Sequence, residues 1–398
     1  MEQYFATCPR GLEQVLADEL AALGARDVSP VDGGVAFGGD LALCYAANLE
    51  SRVASRVLWQ VGCAGYRTEQ EIFSAARALA WPRFFDVRRT IRVNVSAIKS
   101  PVRSLDFVTL SVKDAVCDAF RDARGSRPDV DTARPDVRIH VFLTRDQATF
   151  YLDTSGEALF KRGWRITTGD APLKENLAAG ILKLTGWKAP TPLFDPMCGS
   201  GTFLIEAAMM ALDAAPGLNR AFGFEKLENF DGKGWRALQD KAGARRRPLT
   251  RLPVHGSDKS GTVLGLAREN LAAAGIENAV QLKQMDILDG SPPAEPGIVV
   301  MNPPYGERQA TEEELAAFYP RLGDALKQRY AGWTAYILTA DLRLARLIGL
   351  KASKRTPLFN GALECRLFEY RMIAGTMRRS KPLVTGESED AGADKNSN

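Results

Sequence analysis

The chain has 398 residues, which is more than one hydrophobic core usually serves, so its length predicts two or three domains. A hydrophobic fraction of 45% and a charged fraction of 25% are typical of a soluble globular protein, and no apolar run of about eighteen residues could span a membrane. The N-terminus shows no basic stretch followed by an apolar one, which excludes a secretory signal and predicts a cytoplasmic protein. The net charge of +4 permits a nucleic-acid partner without indicating one.

The first 160 residues alternate strands with helices, and they predict an α+β region that forms one module or two subunits of a module. Strands are expected at 4–7, 54–63, 90–98, 137–143 and 148–153, with two more around 27–37, and helices at 11–24, 41–51, 69–79 and 105–124. Residues 121–138 are rich in Arg, Asp, Pro and Gly, which favours an exposed connector. Contact with a nucleic acid is the alternative there, because arginines outnumber aspartates.

From residue 182 onward, nearly continuous apolar runs alternate with helices, which predicts an α/β domain around a parallel sheet buried on both faces. Strands are expected at 191–194, 252–256, 280–285, 298–301 and 333–338, with helices at 201–214, 261–274 and 312–330. A final hairpin at 354–359 and 364–373 adds antiparallel strands at the edge, giving seven strands in all. Residues 379–398 are polar, and we expect a disordered tail.

An insertion at residues 216–248 interrupts this pattern after the first helix of the sheet. It combines the aromatic residues Phe222, Phe224, Phe230 and Trp235 with several lysines and arginines. Aromatic rings among cations suit contact with a nucleic acid, whereas a locally folded insertion with a solvated basic face is an equally good interpretation.

The strongest local signal is a glycine-containing loop between the first strand and first helix of this sheet. It reads Asp195-Pro196-Met197-Cys198-Gly199-Ser200-Gly201-Thr202. Ligands of such sheets bind at the carboxyl ends of the strands, and Gly199 and Gly201 allow the backbone to approach a ligand closely. The loop lacks both the dinucleotide pattern and the phosphate-loop pattern, and Asp195 would repel a phosphate. An acceptor at Asp195 suits the ammonium of an amino-acid-bearing nucleoside, which points to S-adenosylmethionine.

Acidic residues also follow the next two strands. Asp258 at the end of the second strand suits the two hydroxyls of a ribose, although alone it would more often cap the helix that follows. Asp286 at the end of the third strand could accept from an adenine amino group while Ile287 packs on the ring, and a surface turn is the alternative.

The fourth strand leads into Asn302-Pro303-Pro304-Tyr305-Gly306. The prolines predict a rigid extended turn in which the carbonyl of Pro303 is free to accept. Together with the side-chain oxygen of Asn302, it provides two acceptors for the amino group of a base, and Tyr305 provides a ring on which that base can stack. Holding both hydrogens would aim the nitrogen lone pair at a methyl group, so the transfer would need mainly proximity and orientation.

These two motifs resemble the motif pair of class I amino-methyltransferases. The segment Phe5-Ala6-Thr7-Cys8-Pro9-Arg10-Gly11-Leu12-Glu13 is similar to the start of the ferredoxin-like plus THUMP module of RNA-modifying enzymes, and segments 159–165 and 171–179 resemble its join to a catalytic domain. Over nearly its whole length, the chain is most similar to the family of 23S ribosomal RNA guanine-N2 methyltransferases. The resemblance implies N2-methylguanosine as product, S-adenosylmethionine as cofactor and RNA as partner. No metal is expected, because the cysteines form no Cys-x-x-Cys pair and the two histidines are far apart in the sequence, and a monomer is the default expectation.

The resemblance also implies an organisation and a set of roles. A ferredoxin-like subdomain would span 1–62, a THUMP RNA-binding domain 63–160, and a Rossmann-like methyltransferase domain 161–378. The cofactor would contact Asp195, Pro196, Cys198, Gly199, Gly201, Thr202, Asp258, Asp286 and Ile287, and the target base Asn302, Pro303 and Tyr305. A helix at 173–182 would cover the cofactor. Lys161, Arg162 and Arg165 would contact RNA phosphates, although basic residues at a strand edge also serve solubility. Larger family members carry a second methyltransferase domain, which we do not expect here.

Other substrates are compatible with the same acceptor geometry: a tRNA guanine, an adenine N6 in DNA or RNA, or a protein glutamine. A DNA enzyme would be expected to carry a target-recognition domain in place of the N-terminal module. A non-catalytic RNA-binding assembly factor is the alternative of another class, but loss of Asp195 or Asn302 would have been expected for it, and both are present.

Overall fold

A computed structural model describes residues 1–166, 173–303 and 311–373. Within these ranges the chain forms two seven-stranded sheets, one in each half. No helix in the described ranges has the length and apolar character needed to cross a membrane. The predicted tail at 379–398 lies outside the described residues.

The first half is an α+β layer in the spatial order β2-β3-β1-β4-β7-β6-β5. Its strands are β1 (Glu2–Thr7), β2 (Arg26–Val31), β3 (Gly34–Gly39), β4 (Arg56–Gly65), β5 (Ile91–Ala97), β6 (Val137–Leu143) and β7 (Gln147–Asp153). Its helices are α1 (Glu13–Ala22), α2 (Leu41–Glu50), α3 (Glu69–Ala78) and α4 (Leu105–Arg124). Only β5 and β6 pair in parallel, and the other neighbours in this sheet are antiparallel.

Helix α4 shows how the sequence fixes these elements. The hydroxyl of Ser104 accepts from the backbone N–H of Phe107 at the start, and Gly125 ends the helix in the left-handed conformation with φ of 70°. Valine and alanine residues at helical spacing, with Phe120, are buried against the sheet. Residues 125–127 are exposed as predicted for the connector, whereas residues 121–124 belong to α4 and residues 137–138 to β6.

Strand β4 belongs to both parts of the N-terminal half. Its residues 56–59 pair with β1, and its residues 58–65 pair with β7. The expected boundary at residue 62 therefore falls inside a strand, because one continuous sheet joins the two subunits.

The second half is built on a mostly parallel sheet in the order β10-β9-β8-β11-β12-β14-β13. Its strands are β8 (Leu193–Asp195), β9 (Val254–Asp258), β10 (Gln281–Gln284), β11 (Ile298–Met301), β12 (Thr334–Thr339), β13 (Lys354–Asn360) and β14 (Leu363–Arg371). Its helices are α5 (Glu175–Leu184), α6 (Thr202–Ala211), α7 (Gly232–Arg245), α8 (Gly261–Ala273), α9 (Glu312–Arg329) and α10 (Leu344–Leu347).

The first five strands in that order run parallel, and β14 and β13 form the antiparallel hairpin. The predicted fold class is confirmed. One expectation was wrong: β10 is an edge strand with half-exposed and exposed residues, and it is not buried on both faces.

The two halves share a hydrophobic core and a buried set of charges. The Arg162 guanidinium donates to the Glu206 carboxylate at 3.2 Å and to the Arg52 carbonyl at 2.6 Å. The Asn176 amide donates to Ser55 Oγ at 2.9 Å. These contacts fix the N-terminal layer against α5 and α6.

The insertion packs its aromatic residues inward. Phe222, Phe224 and Trp235 are buried, and Tyr45 of α2 lies 4.4 Å from Phe224 between ring centroids. Phe230 is half-buried at the rim of this cluster. The buried rings join the halves of the protein and are not available to a base. Of the two interpretations, these three residues therefore support a locally folded insertion and not contact with a nucleic acid.

Candidate active site

A cavity of about 690 Å³ opens at the carboxyl edge of the parallel sheet. Nine predicted site residues line it: Asp195, Pro196, Cys198, Gly199, Thr202, Asp258, Asp286, Ile287 and Asn302. They converge because β8, β9, β10 and β11 run parallel and end at one edge. Gly201 and Pro303 lie next to the cavity without lining it. Tyr305 lies outside the described residues.

The two glycines of the loop have different roles. Gly199 has φ of 54°, and a Cβ there would meet no atom of the described residues within 4 Å, so the space beside it is open to a ligand as far as the structure describes it. Gly201 has φ of 85° and stands at the start of α6, where a Cβ would lie 3.4 Å from the Cβ of Ala267. That distance is an ordinary contact, so the left-handed backbone conformation is what favours glycine at 201, and ligand approach applies only at 199.

Two carboxylates face each other across the loop. Asp195 is 2% exposed and accepts one backbone hydrogen bond, from Met197 N at 3.2 Å. Burial raises the pKa of Asp195 well above its ordinary value, and the neighbouring Asp258 raises it further. A cationic ligand between these groups would reverse that effect, so the electrostatics favour a positively charged partner.

Asp258 connects the loop to the next strand. Its carboxylate accepts from Gly199 N at 3.2 Å and from Ser260 N at 3.0 Å. The cap of α8 is Ser260, whose hydroxyl accepts from Val263 N. The helix-capping alternative for Asp258 is therefore excluded, and its carboxylate remains at the cavity wall.

Asp286 follows β10 and has two possible functions. Its carboxylate accepts from Leu288 N at 2.9 Å and so stabilises a turn. The same residue lines the cavity, and Ile287, buried at 2% exposure, places an apolar surface beside it. The turn is therefore observed, and the contact of Asp286 with adenine stays a prediction.

Asn302 presents an unsatisfied acceptor. Its Oδ1 is buried, and no group in the described ranges donates to it. An orphaned buried acceptor is costly, which makes it a candidate for a hydrogen bond that forms only with a ligand.

One face of α9 forms a further wall of the cavity. The sequence analysis did not predict this wall. Glu314, Ala317, Phe318 and Arg321 line it at the spacing of successive helical turns. Phe318 is half-buried, and Arg321 is exposed without an ion pair to any described residue. The spacing was visible in the sequence, but nothing there indicated which face of the helix meets the strand ends.

The helix expected at 173–182 begins later and has another role. Helix α5 is buried between α6 and the N-terminal half, and only Leu173, before its first turn, lines the cavity. Helix α5 packs beneath the site, and its residues do not line the cavity.

Family models match three consecutive parts of the chain. The RMKL-like methyltransferase domain matches residues 162–369, a THUMP domain matches 66–153, and an RlmL ferredoxin-like domain matches 3–58. The chain belongs to the RMKL-like methyltransferase family. This match confirms the predicted resemblance. The cavity lies within the part of the chain that matches the methyltransferase domain.

Two relatives of this RMKL-like chain match over most of its length. It is 39% identical to the ribosomal RNA large subunit methyltransferase K/L of Shewanella frigidimarina, over 96% of this chain and 54% of that protein. The chain thus spans about half the length of this relative. It is also 38% identical to slr0064 of Synechocystis, over 93% of this chain and 96% of that protein. The name of slr0064 gives RNA methyltransferase as a provisional assignment.

A solved structure shares the whole architecture. SMU.472, described as a methyltransferase and complexed with SAH, superimposes with a TM-score of 0.85 at 31% identity. The match covers 94% of the RMKL-like chain and 99% of SMU.472.

The three residues expected to contact RNA have different surroundings. Arg162 is 4% exposed and engaged with Glu206, which argues against a phosphate contact. Arg165 is 13% exposed and donates to Glu175, to the Leu173 carbonyl and to Thr202 Oγ1, so it supports the cofactor loop. Lys161 is exposed, with a surface ion pair to Glu157 at 2.7 Å, and remains accessible.

Metal ligands do not cluster in the described part of the chain. No group of three or more His, Cys, Asp or Glu residues there is placed to hold a metal ion.

Proposed function

We propose that this chain is an S-adenosylmethionine-dependent methyltransferase that acts on the exocyclic N2 amino group of a guanosine in 23S ribosomal RNA. One observation supports this most directly. The unpaired buried oxygen of Asn302 lines the same cavity as the carboxylates of Asp195 and Asp258.

The residues present fit the cofactor. Asp195, whose pKa is raised by burial and by the neighbouring Asp258, would hold the ammonium of the methionine part. Asp258 would hold the ribose, and Asp286 with Ile287 the adenine. When bound, S-adenosylmethionine supplies an electrophilic methyl group on a positively charged sulfur. The complex of SMU.472 with SAH supports this assignment, because SAH is the demethylated form of the same molecule.

The target amine requires orientation more than activation. Its lone pair is delocalised into the purine ring, so the nitrogen is a poor nucleophile until it becomes pyramidal. Oδ1 of Asn302 accepts one N–H bond, and we assign the second to the carbonyl of Pro303. These two bonds leave the lone pair directed toward the methyl group. Asn302 is not basic, so the proton released on methylation leaves through the open side of the cavity.

The opposite wall would hold the target nucleotide. Phe318 presents a ring edge or face to a base, and Arg321 presents a cation to the phosphate or carbonyl oxygen of that nucleotide. Tyr305 keeps its predicted stacking role as part of this proposal.

RNA is favoured over DNA and protein by the N-terminal half. A THUMP domain precedes the catalytic domain, and the Shewanella relative is named as a ribosomal RNA methyltransferase. The acceptor pair would suit adenine N6 equally well, so the choice of guanine N2 in 23S RNA rests on the family resemblance. A non-catalytic assembly role is disfavoured, because the donor and acceptor residues meet in one cavity.

The test is a comparison of modified nucleosides. Mass spectrometry of 23S ribosomal RNA from cells with and without the gene should show one N2-methylguanosine that depends on it. Complementation with the wild-type chain should restore the modification, and complementation with Asn302→Ala should not. An unchanged 23S RNA together with a lost tRNA or adenine modification would reassign the substrate, and no change in any RNA would refute the proposal.

A further inference from the structure

The positive charge of the chain is concentrated in one segment. Residues 228–251, here called the basic segment, contain seven lysines and arginines and three acidic residues. Their excess of four positive charges equals the formal net charge of the entire chain, so the remaining residues are balanced. A charge placed for solubility alone would be dispersed over the surface.

The fold leaves most of these cations unpaired. Arg245 forms ion pairs with Glu50 and Asp213. Six others are exposed and have no ion pair with a residue in the described ranges: Lys233, Arg236, Lys241, Arg246, Arg247 and Arg251. They form a free cationic surface on α7 and the loop after it.

The segment is held firmly in place. The Asp231 carboxylate caps α7 by accepting from Lys233 N at 3.1 Å and from Gly234 N at 3.0 Å. Trp235 anchors the helix in the aromatic cluster with Tyr45. Cations on a fixed helix lose little conformational freedom of the backbone when they bind a partner.

The surface continues onto the N-terminal half. Phe230 lines two shallow depressions. One also contains Lys233 and Arg236 beside two aspartates, and the other contains Arg88, Arg89 and Lys226 beside three acidic residues. Arg88 is paired with Asp86, while Arg89 has no ion pair among the residues described. The basic segment and the THUMP side therefore form one face with a half-buried aromatic ring between them.

This face is distant from the cavity. Helix α6 begins at the carboxyl edge of the sheet, and Arg247 N donates to the carbonyl of Leu212 just after its other end. Ten helical residues span about 15 Å. Arg247 therefore lies too far from the cavity to contact the target nucleotide, but it can bind a polyanion that extends beyond that nucleotide.

We infer that the basic segment, together with Phe230, binds the phosphate backbone of the substrate RNA at a place remote from the methylated nucleotide. This inference rests on the proposed function for the identity of the polyanion. Continuity with the THUMP side and the aromatic ring among the cations favour RNA over an acidic protein.

The test compares two triple variants of the full chain. Lys233→Gln, Arg236→Gln and Lys241→Gln neutralise the face on α7. Arg26→Gln, Lys188→Gln and Lys351→Gln remove the same charge from exposed positions elsewhere that have no ion pair with a described residue. Binding of an unmodified 23S RNA transcript is measured from low to moderate KCl, with S-adenosylmethionine affinity and melting temperature as controls for folding.

The α7 variant should bind RNA at least tenfold more weakly at low salt. Its plot of log affinity against log salt should be less steep by roughly 2, since each lost phosphate contact removes about 0.7 to 0.9 from the slope. The control variant should keep most of the wild-type affinity and slope, and both should keep wild-type S-adenosylmethionine affinity.

Equal behaviour of the two variants would overturn the inference while leaving the proposed function intact. If the wild-type chain neither bound nor methylated RNA, both the inference and the proposed function would be refuted. Loss of binding to polyglutamate in the α7 variant, with RNA affinity at the wild-type level, would assign the face to an acidic protein and overturn the RNA assignment.

Discussion

Replacing Asn302 with alanine should separate stability from activity. The buried Oδ1 of Asn302 has no donor among the described residues, and an unsatisfied buried acceptor costs about 1–3 kcal/mol. Truncation removes this cost and loses some packing of a half-buried side chain. We expect the two effects to leave the variant about 1 kcal/mol more stable, which corresponds to a rise of about 2 °C in apparent Tm. Because truncation removes the proposed hydrogen bond from the target amine to Oδ1, kcat should fall by at least about 100-fold.

Asn270 provides the matched control. Its Oδ1 accepts from Ile166 N at 3.0 Å, and its Nδ2 donates to the Ser200 carbonyl at 3.1 Å. Asn270→Ala breaks both bonds and should therefore lower the apparent Tm, the opposite sign from Asn302→Ala. Differential scanning fluorimetry gives the melting temperatures, calorimetry the affinity for S-adenosylmethionine, and transfer of a labelled methyl group to RNA the kcat. A fall in Tm for Asn302→Ala equal to that for Asn270→Ala would refute the reasoning, as would full turnover.

Three further outcomes follow from the site. Burial raises the pKa of Asp195, and a bound cation favours the ionised carboxylate. Below that raised pKa, the affinity for S-adenosylmethionine should therefore rise with pH, by up to about tenfold per pH unit. Asp195→Asn should abolish this rise in calorimetric titrations. Arg165→Lys keeps the charge but cannot reproduce the contacts to Glu175 and Thr202, so S-adenosylmethionine should bind about tenfold more weakly while RNA affinity is unchanged in filter binding. Arg321→Ala should lower kcat/KM for RNA about tenfold, measured by initial rates, with S-adenosylmethionine affinity retained.

Each of these has a distinct contrary result. A pH profile shared by wild type and Asp195→Asn would assign the titration to another group. Weaker RNA binding with normal cofactor affinity in Arg165→Lys would support the interpretation made from the sequence, that Arg165 contacts an RNA phosphate. A loss of cofactor affinity in Arg321→Ala would place that residue in the part of the cavity that binds S-adenosylmethionine.

The residues that line the cavity at the strand ends were predictable because of topology. Parallel strands separated by helices bring their carboxyl ends to one edge, so Asp195, Asp258 and Asn302 had to converge once the strands were located. The fold class followed from the same alternation of apolar runs and helices.

Long-range partners were not predictable. Arg162 was expected to be a surface cation, but its carboxylate partner Glu206 lies 44 residues away and buries it. The insertion showed aromatic residues and cations together, but Tyr45, whose hydroxyl accepts from Asp231 N, is 186 residues distant. Amphipathic spacing in α9 indicated a helix without indicating that its exposed face borders the cavity.

The buried charges between the two halves have a consequence for target choice. Since Arg162 joins Arg52 of the N-terminal layer to Glu206 of α6 inside the protein, the span between the THUMP domain and the cavity is set by the fold. Under the proposed function, an RNA feature bound by the N-terminal half would therefore determine which nucleotide reaches the cavity. Selection of one guanosine among many would then depend on its distance from that feature in the folded RNA, and the RNA would have to bend to deliver it.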